Sequence, residues 1–177
     1  MTLLITQGPE AASGAVAETY EAVAKLFGRV PNAVRFYSSS PALLAQQWDS
    51  IRYYRNHPAL SAALLASIRM LVSKNNDCEY CVGFNEALLI NMCGQTPDEV
   101  AATKADPKAT PLAEKDRAML LFVLKAMATP HAVSKPDLDH LRGLGWTDGD
   151  MLDAVAHGAR NTAVDILFNT FKIERDF

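Results

Sequence analysis

The spacing of apolar residues constrains the fold of this chain more than any other feature of its sequence. Over residues 60–72 the large aliphatic side chains recur three or four positions apart, as they do on one side of a helix; they are Leu64, Leu65, Ile68, Leu71 and Val72. No segment shows the alternation of apolar and polar residues that marks a half-buried strand. The sequence therefore predicts an all-α fold of about eight or nine helices.

Capping signals divide this pattern into separate helices. Thr96-Pro97-Asp98-Glu99 combines an N-cap threonine, a proline at the first helical position and a glutamate at the third, which together form a capping box. Ser134 with Asp137, and Thr147 with Asp150, are further start signals. The long helix that follows Thr147 is expected to bury an apolar stripe formed by Leu152, Val155, Ala156, Ala159, Ala163 and Ile166.

Length and charge exclude several classes of protein. With 177 residues the chain is long enough for one buried core, so we expect a single domain over residues 1–177. Because 17 Lys and Arg face 20 Asp and Glu, the net charge is −3, and nucleic acid and anionic membranes are poor candidate partners. We see neither a signal-peptide pattern nor an apolar run of ~20 residues. The odd number of cysteines fits a reducing cytoplasm.

Cys78 and Cys81 form a C-x-x-C pair at the beginning of a predicted helix. If Asp77 caps that helix, both sulfurs lie in its first turn, where the helix dipole stabilises a thiolate, and the pair can cycle between dithiol and disulfide. Zinc sites normally add a second Cys or His pair at close spacing, and only Cys93 follows here. We therefore expect no metal or other cofactor. The remaining alternative is a pair of inert core cysteines.

Cys93 is expected to take no part in this chemistry. It lies near the far end of the same helix, ~18 Å from Cys81 at 1.5 Å per residue, which is too far for a disulfide without rearrangement. A core or interface thiol is the ordinary role of such a residue.

The residues from Val72 to Phe84 carry a resemblance to a known family. Their sequence, Val-Ser-Lys-Asn-Asn-Asp-Cys-Glu-Tyr-Cys-Val-Gly-Phe, closely resembles the signature of the alkylhydroperoxidase AhpD-like proteins, in the carboxymuconolactone decarboxylase superfamily. Residues 28–32, residues 40–44 and residues 141–148 look like the corresponding parts of the peroxidase-related branch. The resemblance implies a helical homotrimer or homohexamer with the dithiol near a subunit contact. It also implies a peroxidase that reduces a hydroperoxide substrate and is reset by a dithiol reductant or reductase protein.

One departure from the family pattern concerns proton transfer. Members with peroxidase chemistry resemble E-x11-C-x-x-C-x3-H, in which the glutamate and histidine relay a proton to or from the catalytic cysteine. Here those two positions hold Ala66 and Asn85. Asn85 lies on the same helical face as Cys81 and could bond a sulfur, but an amide cannot take up a proton near neutral pH. Since losing a general base typically costs ~10²–10⁴-fold in rate, we expect an attenuated peroxidase.

The roles of the individual site residues remain open at this stage. The helix dipole favours Cys78 as the attacking sulfur, whereas the resemblance implies that Cys81 attacks peroxide and Cys78 resolves. Tyr80, between the two cysteines, could donate a hydrogen bond or pack against the preceding helix. Arg69 is either half of an ion pair or a cation near the thiolates. Among the histidines, His157 is the best-placed substitute base.

Three classes of function follow from these observations. The first is an antioxidant peroxidase that works through the Cys78–Cys81 dithiol. The second is a non-enzymatic redox-responsive oligomer, in which the disulfide alters assembly. The third is a decarboxylase-related enzyme, which the resemblance makes least favoured, because the family's decarboxylases use a histidine-based site without this dithiol.

Overall fold

The computed structural model describes residues 2–176. These residues form nine α-helices joined by loops and short 3₁₀ turns, and no β-strand. Among residues 2–176, no helix combines the length and the apolar character that a membrane span requires. The predicted all-α fold of eight or nine helices is confirmed. The helices are α1 (Gly14–Phe27), α2 (Asn32–Arg35), α3 (Pro41–Arg55), α4 (Ala62–Asn75), α5 (Glu79–Asn91), α6 (Pro97–Ala105), α7 (Glu114–Ala128), α8 (Lys135–Gly143) and α9 (Asp148–Phe171).

The first of two compact units comprises Met1–Asn56 and Phe168–Phe177. Within it α1 packs against α3. The ring of Phe36 meets those of Tyr37 and Phe168 edge-on, with centroids 5.3 and 4.9 Å away. An aromatic cluster therefore forms part of the core of this unit.

The second unit, His57–Leu167, is organised around α4. Ser61 caps this helix by accepting a hydrogen bond from the Leu64 N–H (3.1 Å), and α5, α6 and α7 pack against it. Leu64, Ile68 and Met70 have no exposed surface. The predicted buried helix before the dithiol thus lies at the centre of this unit. Because the chain groups into two units, the single domain over residues 1–177 stays a prediction.

The three capping signals begin helices as the sequence indicates. Thr96 and Ser134 form capping boxes with Glu99 and Asp137, at the beginnings of α6 and α8. Thr147 accepts from the Asp150 N–H (3.1 Å), and the Asp150 carboxylate accepts from the Thr147 N–H (3.0 Å), just before α9. Reciprocal bonds of this kind satisfy N–H groups that a helix leaves free, so they fix where each helix starts.

The predicted apolar stripe of α9 is wrong. Two of its members, Leu152 and Ile166, are 70% and 59% exposed. In the part of α9 that belongs to the second unit, the buried residues instead include three polar side chains, His157, Asn161 and Asp165. These are buried because they hydrogen-bond to groups on α4 and on the turn that follows it. Hydrogen bonding offsets the cost of desolvating these groups. A pattern of apolar residues does not indicate which polar side chains are buried in this way.

Gly158 marks a close approach between α9 and α7. A Cβ at this position would lie 3.0 Å from Cγ1 of Val123 and 3.2 Å from Sδ of Met127. Because Val123 is β-branched and fully buried, it has little room to yield. We expect Gly158→Ala to lower the free energy of unfolding by about 1 kcal/mol, with overpacking exceeding the gain in helix propensity.

Gly149, in the first turn of the same helix, provides a matched control. Its added Cβ would meet only Oγ1 of Thr147, at an ordinary 3.6 Å. Gly149→Ala should therefore raise the free energy of unfolding, by about 0.5–1 kcal/mol. Urea unfolding of both variants checks the pair, and a stabilised Gly158→Ala variant would contradict the packing argument.

Candidate functional site

The dithiol lies where α4 turns into α5. Asp77 has a left-handed backbone, with φ of +53°, and Cys78 is the N-cap residue of α5. Our prediction that Asp77 caps this helix is therefore wrong by one residue. The Cys78 N–H donates to the Ser73 carbonyl (3.0 Å), so the chain is still closing α4 when it reaches the first cysteine. Cys81 follows within the first turn of α5.

The two cysteines are buried free thiols in contact with each other. Cys78 is 1% exposed and Cys81 is 5% exposed. Their Sγ atoms lie 2.6 Å apart. Since both belong to the same short stretch of chain, a disulfide between them requires only a small side-chain adjustment.

A carboxylate that the sequence analysis did not select stands beside this dithiol. Asp165, on α9, has no exposed surface, and one of its carboxylate oxygens and the two sulfurs all lie within 4.8 Å of one another. Its Oδ1 accepts from Ser73 Oγ (2.8 Å), and its Oδ2 accepts from the side-chain amides of Asn76 (2.9 Å) and Asn161 (3.1 Å). Three donors from three segments therefore fix the orientation of the carboxylate.

The surroundings of Cys81 keep its thiol protonated. A hydrogen bond shared with the Cys78 sulfur and burial, followed by the charges of Cys78 and Asp165 and the hydrogen bonding of Asp165, raise the pKa of Cys81 above its ordinary value. At neutral pH the nucleophilic thiolate is then a minor form. Reaction at this sulfur needs a nearby group that accepts its proton.

Asn85 contacts the backbone of Cys81 rather than a sulfur. Its Nδ2 donates to the Cys81 carbonyl (2.7 Å), and its Oδ1 accepts from Nε of Arg69 (2.7 Å). The amide thus links α4 to the first turn of α5 and positions Cys81. Ala66, at the other relay position, is buried in α4 and carries no titratable group.

Arg69 is a cation near the thiols. It forms no ion pair with any of residues 2–176, and burial lowers its pKa to about 10 although the charges of Cys93 and Cys81 oppose that shift. The ion pair that the sequence allowed is therefore not formed among the described residues. Its Nη1 lies 3.0 Å from Nε2 of His157. At neutral pH the part-buried guanidinium carries its charge, and its hydrogen-bond partners, Asn85 and His157, are neutral.

His157 is neutral and hydrogen-bonds to Arg69. Burial, together with the charges of Arg69 and Arg160, holds the pKa of His157 well below its ordinary value. The ring donates to the Leu65 carbonyl and places Nε2 toward the guanidinium. Since this nitrogen faces Arg69, the best-placed histidine of the sequence analysis contacts the cation and not a sulfur.

The same residue makes stability depend on pH. A histidine with a depressed folded-state pKa takes up a proton more readily in the unfolded chain, so acidification below ~6.5 favours unfolding. We expect His157 to cost about 1 kcal/mol of stability at pH 5.5 relative to pH 7.5. Urea unfolding at both pH values, for wild type and His157→Gln, measures this cost as the part of the pH difference that the substitution removes. An unchanged difference would contradict a buried neutral imidazole.

Tyr80 packs within its own helix. It is buried, and its ring lies parallel to that of Phe84 with centroids 6.2 Å apart. This ring contact lies within α5, so the packing of Tyr80 against the preceding helix stays a prediction.

Solved structures of an AhpD core and of a peroxidase-related protein match this chain over nearly its whole length. An AhpD core structure, an uncharacterized peroxidase-related protein from Ralstonia eutropha, matches with a TM-score of 0.87 at 22% identity, covering 99% of this chain and 92% of that one. A peroxidase-related protein from a Silicibacter species gives 0.86 at 20% identity, with 99% and 92% covered. The chain has the AhpD-like fold. The fold implied by the sequence resemblance is thereby confirmed.

The AhpD-like fold also occurs in a protein with different chemistry. A variant of the debrominase Bmp8, in complex with 2,3,4-tribromopyrrole, matches with a TM-score of 0.78 at 16% identity, covering 99% of this chain and 93% of that one. No protein-family model matches the sequence, and no curated protein matches it significantly. Activity must therefore be inferred from the residues of the site.

Proposed function

We propose that the protein is a thiol-dependent, peroxidase-type oxidoreductase that reduces hydroperoxides through a Cys78–Cys81 dithiol/disulfide cycle. The observation that supports this best is the buried pair of sulfurs, 2.6 Å apart, with the Asp165 carboxylate beside them. Such a site combines a nucleophile, a resolving thiol and a proton acceptor, which are the three groups that the reaction needs.

In the proposed cycle Cys81 attacks and Cys78 resolves. The Cys81 thiol gives its proton to Asp165, and the thiolate attacks the peroxide, so that an S–O bond forms as the O–O bond breaks. The leaving alkoxide takes the proton and departs as an alcohol. The Cys78 sulfur then attacks the sulfenic acid, forming the disulfide and releasing water. An external dithiol returns two electrons and two protons.

Asp165 is the proposed substitute for the missing relay. Among the described residues, it is the carboxylate that touches Cys81, and its fixed orientation favours proton transfer along one path. We propose that the peroxidase rate is attenuated, because one carboxylate replaces both the glutamate and the histidine of the relay. The positions of those two groups hold Ala66 and Asn85 here.

The physiological setting is also part of the proposal. A cytoplasmic dithiol reductant or reductase protein would reset the disulfide, since that compartment maintains reduced thiols. Assembly into a homotrimer or homohexamer would cover apolar side chains of α9, among them Leu152 and Ile166, which are 70% and 59% exposed in the single chain.

Thiol titration during peroxide exposure tests the function. The fully reduced protein receives less than one equivalent of an organic hydroperoxide, and free thiols are counted against time. We expect two thiols to be lost for each peroxide, faster than in free cysteine at the same pH. The Cys93→Ser variant is the matched control, and it should lose two thiols at the wild-type rate.

Two outcomes would contradict the proposal. Oxidation no faster than that of free cysteine would exclude a peroxidase. Fast oxidation without repeated turnover in the presence of a dithiol reductant would favour the redox-responsive oligomer. Size-exclusion chromatography of the reduced and oxidised forms would then show whether the disulfide changes assembly.

A further inference from the structure

We propose that the reduced protein binds a thiolate-preferring divalent cation, of which Zn²⁺ is the biological candidate, through Cys78, Cys81 and Asp165. Oxidation of the dithiol releases the ion. The binding step is independent of the proposed peroxidase activity, because it requires only the reduced thiols and the carboxylate.

The positions of the three ligand atoms fit one ion. The two sulfurs and a carboxylate oxygen of Asp165 lie within 4.8 Å of one another. Atoms that share a zinc ion at about 2.3 Å for sulfur and 2.0–2.2 Å for oxygen lie at most ~4.6 Å apart, so little movement is needed. The sulfurs, now at 2.6 Å, would have to separate to about 3.8 Å for a tetrahedral site. Rotation of the two cysteine side chains can provide that separation.

The carboxylate has the support that a metal ligand requires. Its oxygens accept hydrogen bonds from Ser73, Asn76 and Asn161 at 2.8, 2.9 and 3.1 Å. Outer hydrogen bonds of this kind orient a ligand and are a regular feature of protein metal sites. Sequence spacing did not reveal this third ligand, because Asp165 comes from a different helix from the C-x-x-C pair.

Charge balance favours a divalent ion. Two thiolates and one carboxylate carry a charge of −3, and Arg69, which interacts electrostatically with Cys81, carries +1 without an ion-pair partner among residues 2–176. A divalent cation brings the net charge of these groups to zero. Since isolated buried charges are costly, this balance explains how the interior could hold both thiolates at once.

The bound ion and the disulfide exclude each other. Binding displaces two thiol protons, and both sulfur lone pairs are then directed at the metal. A hydroperoxide and two protons convert the metal dithiolate into a disulfide, the free cation, an alcohol and water. The disulfide has no thiolate to offer, so the oxidised protein should not bind the ion.

Anaerobic titration with Co²⁺ as a spectroscopic probe tests the site. Reduced wild type should bind one Co²⁺ per chain, with thiolate-to-metal charge-transfer absorption and the d–d bands of a tetrahedral site, and Zn²⁺ should displace it. Cys78→Ser and Cys81→Ser should lose the charge-transfer band, and the pre-oxidised protein should bind no ion. Cys93→Ser is the matched control and should behave as wild type.

A variant at Asp165 distinguishes a site with three protein ligands from one with two thiolates alone. Asp165→Asn should weaken Co²⁺ binding by at least the ~10–100-fold that loss of an outer-shell group typically costs. Unchanged affinity in this variant would overturn the proposal. X-ray absorption of Zn²⁺ bound to wild type does not depend on how the variant folds. Two sulfur and two lighter ligands support the site, whereas four sulfurs from two chains would overturn it.

Discussion

Replacing Cys81 with serine is expected to abolish peroxide-driven oxidation of the site, whereas Cys78→Ser should stop the reaction at a sulfenic acid on Cys81. The reason is the division of labour within the pair. Cys81 touches the proton acceptor Asp165, and Cys78, 2.6 Å away, is the sulfur that condenses with the sulfenic acid. Mass spectrometry after addition of a sulfenic-acid trap measures both results, and wild type should show only the disulfide.

The opposite pattern would reverse the assignment. If Cys78→Ser is inert and Cys81→Ser traps a sulfenic acid, the N-cap position of Cys78 outweighs the contact of Cys81 with Asp165. If both variants are oxidised at the rate of free cysteine, then neither sulfur is activated. Adding Cys93→Ser to each variant as a background removes the third thiol from the count without touching the pair.

The sequence was informative wherever local rules decide the structure. Helical spacing and the capping boxes at Thr96 and Ser134 depend on neighbours within one turn, so the all-α fold and these helix starts were predictable. The first residue of α5 was harder to predict, because Asp77 has a left-handed backbone and the helix therefore begins one residue later. A local sequence pattern does not indicate that Asp77 adopts this conformation.

The candidate site needed the tertiary structure. His157, Asn161 and Asp165 recur four residues apart, which places them on one face of α9. A polar helix face normally faces solvent, so this spacing favours the opposite, apolar face of α9 as the buried one. Only the contacts with Ser73 and Asn76 show that the polar face is buried and that its carboxylate meets the dithiol.

Asp165→Asn separates two roles that the carboxylate could have. Its negative charge contributes to the raised pKa of Cys81, so removing it lowers that pKa and increases the thiolate fraction at pH 7. If Asp165 acted through charge alone, the variant would oxidise faster than wild type. Because we propose that it also accepts the proton, we expect oxidation at pH 7 to be slower by ~10²–10⁴-fold.

The pH profile and a control variant keep this result distinct from a loss of stability. In Asp165→Asn the rate should begin its rise at a lower pH than in wild type, as the pKa of Cys81 falls, while the rate at neutral pH stays lower. Ser73→Ala removes one donor to Asp165 but leaves the carboxylate in place, so it should lower the free energy of unfolding by about 1–3 kcal/mol with less than ~10-fold effect on rate. Faster oxidation of Asp165→Asn at pH 7 would show that the carboxylate restrains Cys81 through its charge and is not the base.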